Sequence, residues 1–379
     1  RGPSIPVDSM CSSTVAAIHM ACQEIKSGHC NMAIAGGVNL YSHPMAMVNL
    51  SKLKLLSNDD KTRSFCEGGL GFVTGEAIGA IVLKSLEAAK RDGDYIYAVI
   101  KGSAAGHIGR TNAYFSQNPI RQAEIIEQAI KDADVPKESI SYIETATTGT
   151  EINDSIEIES LKKVFRNKEM QEHSIAIGSV KPNVGHAESA SGIDQLMKVL
   201  MQLKHKQLAP TKLNGTWNKK ISLEHSSLYL ADHVEEWKEK QVAGEAYPRR
   251  AAINSLGAGG YLAHIILEEP EAQTQEKDEP ENETICVPVS SNTKRGLIRN
   301  VKNLAGFIEK NPSVSLHAIA YNLRENRQDY TYRAAFLSDN KDTLCQNMKQ
   351  FINGNYDQID IVTNLERGKE YPVNNTDTS

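Results

Sequence analysis

The chain has 379 residues and a mass of 41.7 kDa, enough for two or three domains, and its 40% hydrophobic and 23% charged residues are a normal globular mixture. That composition excludes a disordered, collagenous or disulfide-scaffold protein. The formal net charge of -5 argues against nucleic acid as an obligatory partner, and the longest apolar run, residues 77–83, is far shorter than the ~20 residues of a membrane span.

Six cysteines occur without a CxxC pair, and their spacing fits no zinc or haem signature. We therefore expect no metal site, and a reducing cytoplasm is the simplest setting. Most of the six are expected to be small buried hydrophobic residues.

Alternating short apolar runs and longer amphipathic stretches predict an α/β fold before residue 270. The predicted strands are 32–38, 78–83 and 251–253, and the predicted helices are 120–133 and 192–204. The segment 270–284 carries six acids, one Lys and two prolines, which predicts a solvated linker. Beyond it, strands at 286–290 and 333–337 and helices at 293–309, 316–323 and 343–353 predict a small α/β unit ending in a polar tail from residue 364.

Cys11 stands just before a helical pattern in which Val15, Ile18, Cys22 and Ile25 share one face. Unpaired N–H groups and the dipole at a helix N-terminus favour a thiolate, which predicts a lowered pKa for Cys11 and an N–H for a developing oxyanion. A structural cysteine or a Ser-rich helix cap would give the same local pattern.

Six segments in order resemble the beta-ketoacyl synthases, the condensing enzymes of fatty acid and polyketide assembly. They are VDSMCSS at 7–13, TRSFCEGGLGFVTGEAIG at 62–79, KGSAAGHIGRTN at 101–112, YIETATTGTEINDSIE at 142–157, KPNVGHAESASG at 181–192 and NSLGAGGYLAHIILEE at 254–269. Residues 320–336 resemble the small domain that flanks ketosynthases in modular polyketide synthases. The resemblance identifies a ketosynthase domain, of the type served by free-standing acyltransferases.

The resemblance implies a thiolase-like layered α/β/α/β/α fold, of which the C-terminal portion is visible. It divides the chain into a ketosynthase domain at 1–269 lacking its N-terminal part, the acidic linker at 270–284, a flanking α/β subdomain at 285–363 and a polar tail at 364–379. It also implies that a preceding segment supplies the first strands and helices of the domain and part of a homodimer contact.

By the same resemblance, Cys11 is the nucleophile that accepts an acyl chain, His186 is the second catalytic histidine, and Lys181 and Glu188 are its polar neighbours. The backbone N–H of Ala258, in a Gly-rich segment that could also be a tight turn or a phosphate cradle, is the oxyanion donor. His264 is expected to order this loop.

Substrate contacts also follow from the resemblance. Thr148 and Thr150 contact a pantetheine arm in this interpretation, although such hydroxyls could be structural, and Met10 reshapes the pocket. Phosphopantetheine arrives on an acyl carrier protein, so no cofactor is bound by the domain itself.

The first catalytic histidine of the family is replaced by Ala146 in the segment ATTGT. The alanine side chain neither donates a hydrogen bond nor carries a proton, and loss of one oxyanion-type donor costs about 2.7 to 4 kcal/mol. Thioester exchange needs no such group, which favours a non-elongating ketosynthase that passes its acyl chain between upstream and downstream carrier proteins.

Three alternatives remain at this stage. A fully condensing enzyme would work with His186 and water, a structural or dimerisation partner would need no chemistry, and a Cys-His hydrolase is compatible with the residue types alone. The retained Cys11 argues against the structural partner.

Overall fold

The computed structural model describes residues 2–110, 116–166, 171–271 and 283–355, together with the backbone of 361–364. It separates into two compact units, residues 1–273 and 274–379. The division falls within the predicted linker, whose residues 272–282 lie outside the described part of the chain. No helix among the described residues is long and apolar enough to cross a membrane.

Seven helices are described in the first unit, and the predicted ones at 120–133 and 192–204 are confirmed as α4 and α7. They are α1 (Ser13–Lys26), α2 (Met45–Lys52), α3 (Leu86–Arg91), α4 (Pro119–Ala133), α5 (Glu151–Val164), α6 (Lys181–Val184) and α7 (Ser191–His205).

The strands of this unit include the three predicted ones, observed as β1, β2 and β11. They are β1 (Met32–Asn39), β2 (Ala77–Lys84), β3 (Val99–His107), β4 (Tyr142–Glu144), β5 (Ile175–Gly178), β6 (Gln207–Leu208), β7 (Leu228–Leu230), β8 (Glu235–Glu236), β9 (Lys240–Val242), β10 (Glu245–Tyr247), β11 (Arg250–Leu256) and β12 (Tyr261–Glu268).

A six-stranded mixed sheet in the order β3-β12-β11-β4-β5-β7 organises the unit. Successive side chains of a strand point to opposite faces, so Ala251 and Ile253 of β11 join one core cluster and Ala252 joins the other. Helices α4 and α5 cover the Ala252 face, and α1 and α7 cover the opposite face. Each face thus has its own helical layer, as an α/β layered fold requires.

The antiparallel pair of β1 and β2 forms a further layer on the outer side of α1 and α7. Ala35 of β1 is buried in the core shared with these helices. Ile34 and Val82, which face each other across this pair, are 75% and 65% exposed. The described layers are therefore α/β/α/β, and the outer face of the two-stranded layer is apolar.

The second unit is a three-stranded antiparallel sheet with three helices, close to the predicted elements. They are β13 (Ile285–Ser291), α8 (Lys294–Lys310), α9 (Leu316–Glu325), β14 (Tyr332–Ser338), α10 (Lys341–Ile352) and β15 (Ile361–Asn364). Strand β15 was not predicted, and it includes Asn364, the first residue of the predicted tail; residues 365–379 lie outside the described part of the chain. Val287, Leu297, Phe336 and Met348 lie in its separate core.

Candidate active site

Cys11 lies in a single 3-10 turn, Met10–Ser12, that leads directly into α1. Met10 has a left-handed φ of 58°, an uncommon value for a residue with a side chain. The Met10 N–H donates to the Asp8 carboxylate at 3.0 Å, and the Ser13 hydroxyl donates to the Met10 carbonyl at 2.6 Å. These bonds hold the turn in a strained shape that places Cys11 at the start of the helix, as the sequence predicted.

Two serine hydroxyls donate hydrogen bonds to the backbone of Cys11. Ser191, at the start of α7, donates to the Cys11 carbonyl at 3.0 Å, and Ser255 of β11 donates to the same oxygen at 3.4 Å. The backbone of Cys11 is therefore tied to two further elements of the core.

The predicted lowering of the Cys11 pKa is wrong. Burial raises the pKa of the Cys11 thiol to about 11, because the removal of water outweighs the lowering by the Lys181 charge; Glu188 raises it further. Hydrogen bonds from the backbone N–H groups of Ala258 and Cys11 itself favour the thiolate without reversing this balance. At this pKa the Cys11 thiol is protonated at neutral pH.

Ala258 lies in a turn between β11 and β12. The Gly257 N–H donates to the Tyr261 carbonyl at 2.8 Å, and the Gly260 N–H donates to the Gly257 carbonyl at 3.1 Å. A Cβ on Gly257 would lie 2.3 Å from the Ser9 carbonyl oxygen and 2.6 Å from Ser12 Oγ. Only glycine lets the turn approach the nucleophile segment this closely, and the Ala258 N–H of this turn lowers the pKa of the Cys11 thiol.

The expected role of His264 in ordering this loop is wrong. Its side chain is buried in the sheet, and its Nδ1 lies 3.3 Å from Oδ1 of Asn254, the residue opposite it on β11. The side chain that bonds to the loop is His107, whose Nε2 lies 2.8 Å from the Gly259 carbonyl oxygen. The sequence offered no signal for this contact, because it joins residues 152 positions apart.

His186 follows α6, with its ring in edge contact with Phe72 at 4.5 Å between centroids. Its Nδ1 accepts the Glu188 N–H at 3.2 Å, so the neutral ring carries its proton on Nε2. Burial first and the Lys181 charge second hold the pKa of His186 well below its usual range. The Nε2–H is buried without a hydrogen-bond partner among the described residues, so its capacity to donate a hydrogen bond is unused.

The charge of Lys181 acts on two of the other predicted site residues. Its buried Nζ donates to the Ala146 carbonyl at 2.9 Å, and its charge lowers the pKa of both Cys11 and His186. Burial lowers the pKa of Lys181 itself, against the opposing charges of Glu157 and Glu144.

Glu188 is held by an aromatic hydroxyl. Tyr41 donates to its carboxylate, and burial together with this bond raises the pKa of the Tyr41 phenol. Glu188 has a left-handed φ of 40° and gives His186 its backbone N–H. Tyr41 was missed by sequence reasoning, since no pattern links it to a residue 147 positions away.

Ala146 is buried two residues beyond the end of β4, in a frame of hydrogen bonds to its backbone. Its N–H donates to the Glu157 carboxylate at 2.8 Å, and its carbonyl accepts from Lys181. Asn254 donates to the same Glu157 oxygen at 2.7 Å, and Gln195 donates to the neighbouring Thr145 carbonyl at 3.0 Å. The structure therefore brings position 146 next to Lys181, whose charge acts on Cys11.

Glu157 was also missed, although the sequence carried a signal for it. Asp154 and Glu157 lie on the same stripe of α5 as the buried Ile158 and Leu161, and an acid on an apolar stripe needs a partner. Burial raises the pKa of Glu157 to about 7 and that of Asp154 to about 6.

Thr148 and Thr150 lie at the start of α5, and their hydroxyls are 3.4 Å apart. The Thr148 N–H donates to Asp154 at 2.9 Å. Their predicted contact with a pantetheine arm stays a prediction, as does the influence of Met10 on the pocket. Among the described residues no group of three or more His, Cys, Asp or Glu side chains is placed to hold a metal ion.

Family models match most of the chain. Residues 1–89 match the beta-ketoacyl synthase N-terminal domain, residues 97–214 match its C-terminal domain, and residues 218–337 match the ketoacyl-synthetase C-terminal extension.

Two curated relatives are polyketide synthases. Polyketide synthase PksM of Bacillus subtilis is 40% identical over 361 residues, which are 95% of this chain and 8% of the relative. Polyketide synthase ThaQ of Burkholderia thailandensis is 38% identical over 346 residues, 90% of this chain and 16% of the relative. The chain thus spans a small part of the relatives it matches.

Solved structures give the same family. The oxazolomycin ketosynthase domain OzmH KS7 of Streptomyces albus is 35% identical with a TM-score of 0.86, over 96% of this chain and 62% of that one. The ketosynthase from module 6 of the bacillaene synthase of Bacillus subtilis is 34% identical with a TM-score of 0.84, over the same shares. The predicted thiolase-like α/β fold is confirmed, and the chain belongs to the beta-ketoacyl synthase family.

Proposed function

We propose that the chain is a non-elongating ketosynthase of a modular polyketide synthase, which moves an acyl chain from an upstream to a downstream carrier protein. The observation that supports the proposal is that the chain has both a cysteine at position 11, where nearby groups favour the thiolate, and an alanine at position 146. The backbone N–H groups of Ala258 and Cys11 and the charge of Lys181 all lower the pKa of the Cys11 thiol, whereas the side chain of Ala146 has no donor.

The proposed exchange balances with water as the proton acceptor and donor. The Cys11 sulfur attacks the thioester carbonyl carbon of an acyl-phosphopantetheine arm, and the negative charge moves to the carbonyl oxygen. The Cys11 thiol gives its proton to water before the thiolate attacks; when the intermediate collapses, the bond to the pantetheine sulfur breaks, and the departing thiolate takes a proton back from water. Attack by the thiol of the downstream arm reverses these steps and frees Cys11. The arm enters with the carrier protein, so the domain itself needs no resident cofactor.

The tautomer of His186 supports this assignment of the proton. Its Nδ1 already accepts the Glu188 N–H, and its Nε2 carries a proton, so the neutral ring is a hydrogen-bond donor to the site and has no free lone pair for the Cys11 proton. Lys181 supplies positive charge next to the sulfur and favours the thiolate that attacks.

A condensing ketosynthase is the second candidate, and the unpartnered Nε2–H of His186 favours it. A single buried donor can bind the thioester carbonyl of a malonyl unit as it loses CO₂. The missing donor at Ala146 disfavours it by about 10²- to 10³-fold in rate.

The setting of the protein is part of the proposal. Cytoplasmic location is supported by six free cysteines, none of them in a disulfide. Carrier proteins and a homodimer as partners are supported by the resemblance to polyketide synthase ketosynthases.

The test is to load the protein from a hexanoyl carrier protein and record the intact mass. We expect a hexanoyl adduct, which a holo carrier protein then removes as an unextended hexanoyl thioester. With a malonyl carrier protein, we expect neither CO₂ nor an extended product. An extended product would establish the condensing candidate instead, and absence of any adduct would contradict both.

Ala146→His sharpens the test. The imidazole restores a donor in a frame that still holds the backbone of position 146, so we expect malonyl decarboxylation to appear. Ala146→Leu adds similar bulk without a donor and is expected to leave decarboxylation absent. Equal behaviour of the two variants would show that position 146 does not limit condensation.

A further inference from the structure

His107 is the last residue of β3, and it lies opposite Tyr261, the first residue of β12. The pairing of these strands continues past their ends, because the Ile108 N–H donates to the Gly260 carbonyl at 2.9 Å. The end of β3 is therefore in direct contact with the loop of Gly257, Ala258, Gly259 and Gly260, called here the oxyanion loop.

The His107 side chain is oriented by its own turn. The Gly109 N–H donates to His107 Nδ1 at 2.9 Å, so the neutral ring carries its proton on Nε2. This Nε2–H donates to the Gly259 carbonyl at 2.8 Å. The ring also packs on Gly260, whose φ is 95°, where an added Cβ would lie 3.2 Å from His107 Cε1 and 2.7 Å from Ile108 Cγ1.

The oxyanion loop has few other restraints. Glycine has more backbone freedom than any other residue, so a loop with three glycines is held mainly by its hydrogen bonds. Among the described residues, His107 supplies the one side-chain donor to a carbonyl of this loop. The remaining bonds, from the Gly257, Gly260 and Ile108 N–H groups, are between backbone atoms.

We propose that His107 is a positioning residue, which holds the oxyanion loop so that the Ala258 N–H stays directed at the reacting centre on Cys11. The consequence for catalysis rests on the proposed function. A displacement of about 1 Å at a catalytic group can cost 10²-fold in rate, and backbone bonds would still hold the loop in part, so we expect a loss of about tenfold without His107.

The test compares His107→Leu with His107→Gln, whose amide keeps an N–H donor at a similar reach. His29→Leu, at another exposed histidine, is the matched control. For acylation by a hexanoyl carrier protein, we expect His107→Leu to lower kcat about tenfold with KM unchanged, and His107→Gln to lie within about twofold of the parent. Equal rates for the leucine and glutamine variants would overturn the proposal.

A second measurement separates failure of this inference from failure of the proposed function. The Ala258 N–H lowers the pKa of the Cys11 thiol, so a displaced loop leaves that pKa higher. Iodoacetamide alkylation of Cys11 against pH measures this without any carrier protein. We expect slower alkylation of His107→Leu at a given pH, with rescue by His107→Gln. If the parent forms no acyl adduct but this pattern appears, only the function fails; if the three alkylation profiles coincide, the positioning role fails.

Discussion

The nucleophile corner of the site, formed by Cys11, Ala258 and His186, differs from the Ala146 corner, formed by Ala146, Lys181 and Glu157, in what has been kept. On the proposed function, the nucleophile corner keeps the Cys11 thiol, the His186 ring and the backbone N–H groups that lower the pKa of the thiol. The Ala146 corner keeps the hydrogen bonds that hold the backbone and lacks a side chain that reacts. If position 146 is that of a lost catalytic group, as we propose, its supporting frame persists without it, so hydrogen bonding alone does not reveal which chemistry a site performs.

The largest expected effect comes from removing the nucleophile. Cys11→Ala should abolish the acyl adduct, because among the described cysteines with a shifted pKa only Cys11 has its pKa lowered by the Ala258 N–H and the Lys181 charge. Cys22→Ala is the matched control, since Cys22, in α1, is also a free cysteine, and burial likewise raises the pKa of its thiol to about 11. Intact mass after loading measures both. An adduct on the Cys11→Ala protein would place the chemistry on another residue.

A substitution that forces the oxyanion loop away from the nucleophile segment should have the next largest effect. Gly257→Ala would place a Cβ within 2.6 Å of the Ser9 carbonyl and Ser12 Oγ, which forces the loop outward and moves the Ala258 N–H away from Cys11. Loss of one oxyanion donor predicts a fall of about 10²-fold in the acylation rate constant.

Gly306→Ala serves as the control for the glycine substitution. A Cβ on Gly306 in α8 meets no atom within 4 Å, so acylation should be unchanged. A Gly257→Ala protein that acylates at the parent rate would show that the close approach of the loop has no part in the reaction.

The pH dependence of alkylation examines the nucleophile corner without a carrier protein. Since burial raises the pKa of Cys11 to about 11, the thiolate fraction should rise about tenfold per pH unit from pH 7 to 9. The rate of iodoacetamide alkylation at Cys11, mapped by peptide mass, should follow it. A plateau below pH 8 would instead support the lowered pKa that the helix N-terminus predicted.

Periodicity was sufficient to predict much of the fold. Strands β1, β2 and β11 and helices α4 and α7 have clear apolar patterns, and their predicted bounds hold to within three residues. The short strands β4 and β5 were not predicted, because all their residues are buried and no alternation marks them. Residue spacing alone cannot separate such a strand from a buried loop.

The site was predictable only where a single segment carried the signal. Cys11 at a helix start is local, and its position was predicted correctly. The pKa of Cys11 was predicted wrongly, because the helix dipole was considered without the burial that other segments of the chain cause. His107 and Tyr41 act on residues more than 140 positions away, and those contacts follow from strand pairing and packing.

The smallest effect on activity is expected at the Ala146 corner, from Glu157→Gln. The glutamine oxygen can still accept the Ala146 and Asn254 N–H groups, so acylation should change less than about threefold. The pH dependence of stability should change more. Burial raises the pKa of Glu157 to about 7, so between its unfolded pKa near 4.5 and 7 the folded state holds a proton that the unfolded state has released.

The sign of the effect follows from this proton. The free energy of unfolding of the parent should fall as pH rises from about 4.5 to 7 and level off above, by up to about 3 kcal/mol. Glu157→Gln cannot ionise, so it should match the parent at pH 5 and exceed it at pH 8. Both tryptophans, Trp217 and Trp237, lie in the first unit, so urea unfolding followed by their fluorescence measures the unit that holds Glu157. Glu159→Gln, at an exposed acid of the same helix bonded to Lys162, should run parallel to the parent at every pH. If Glu157→Gln also runs parallel, Glu157 is ionised in the folded protein throughout this range, and the Ala146 corner tolerates a buried negative charge beside Lys181.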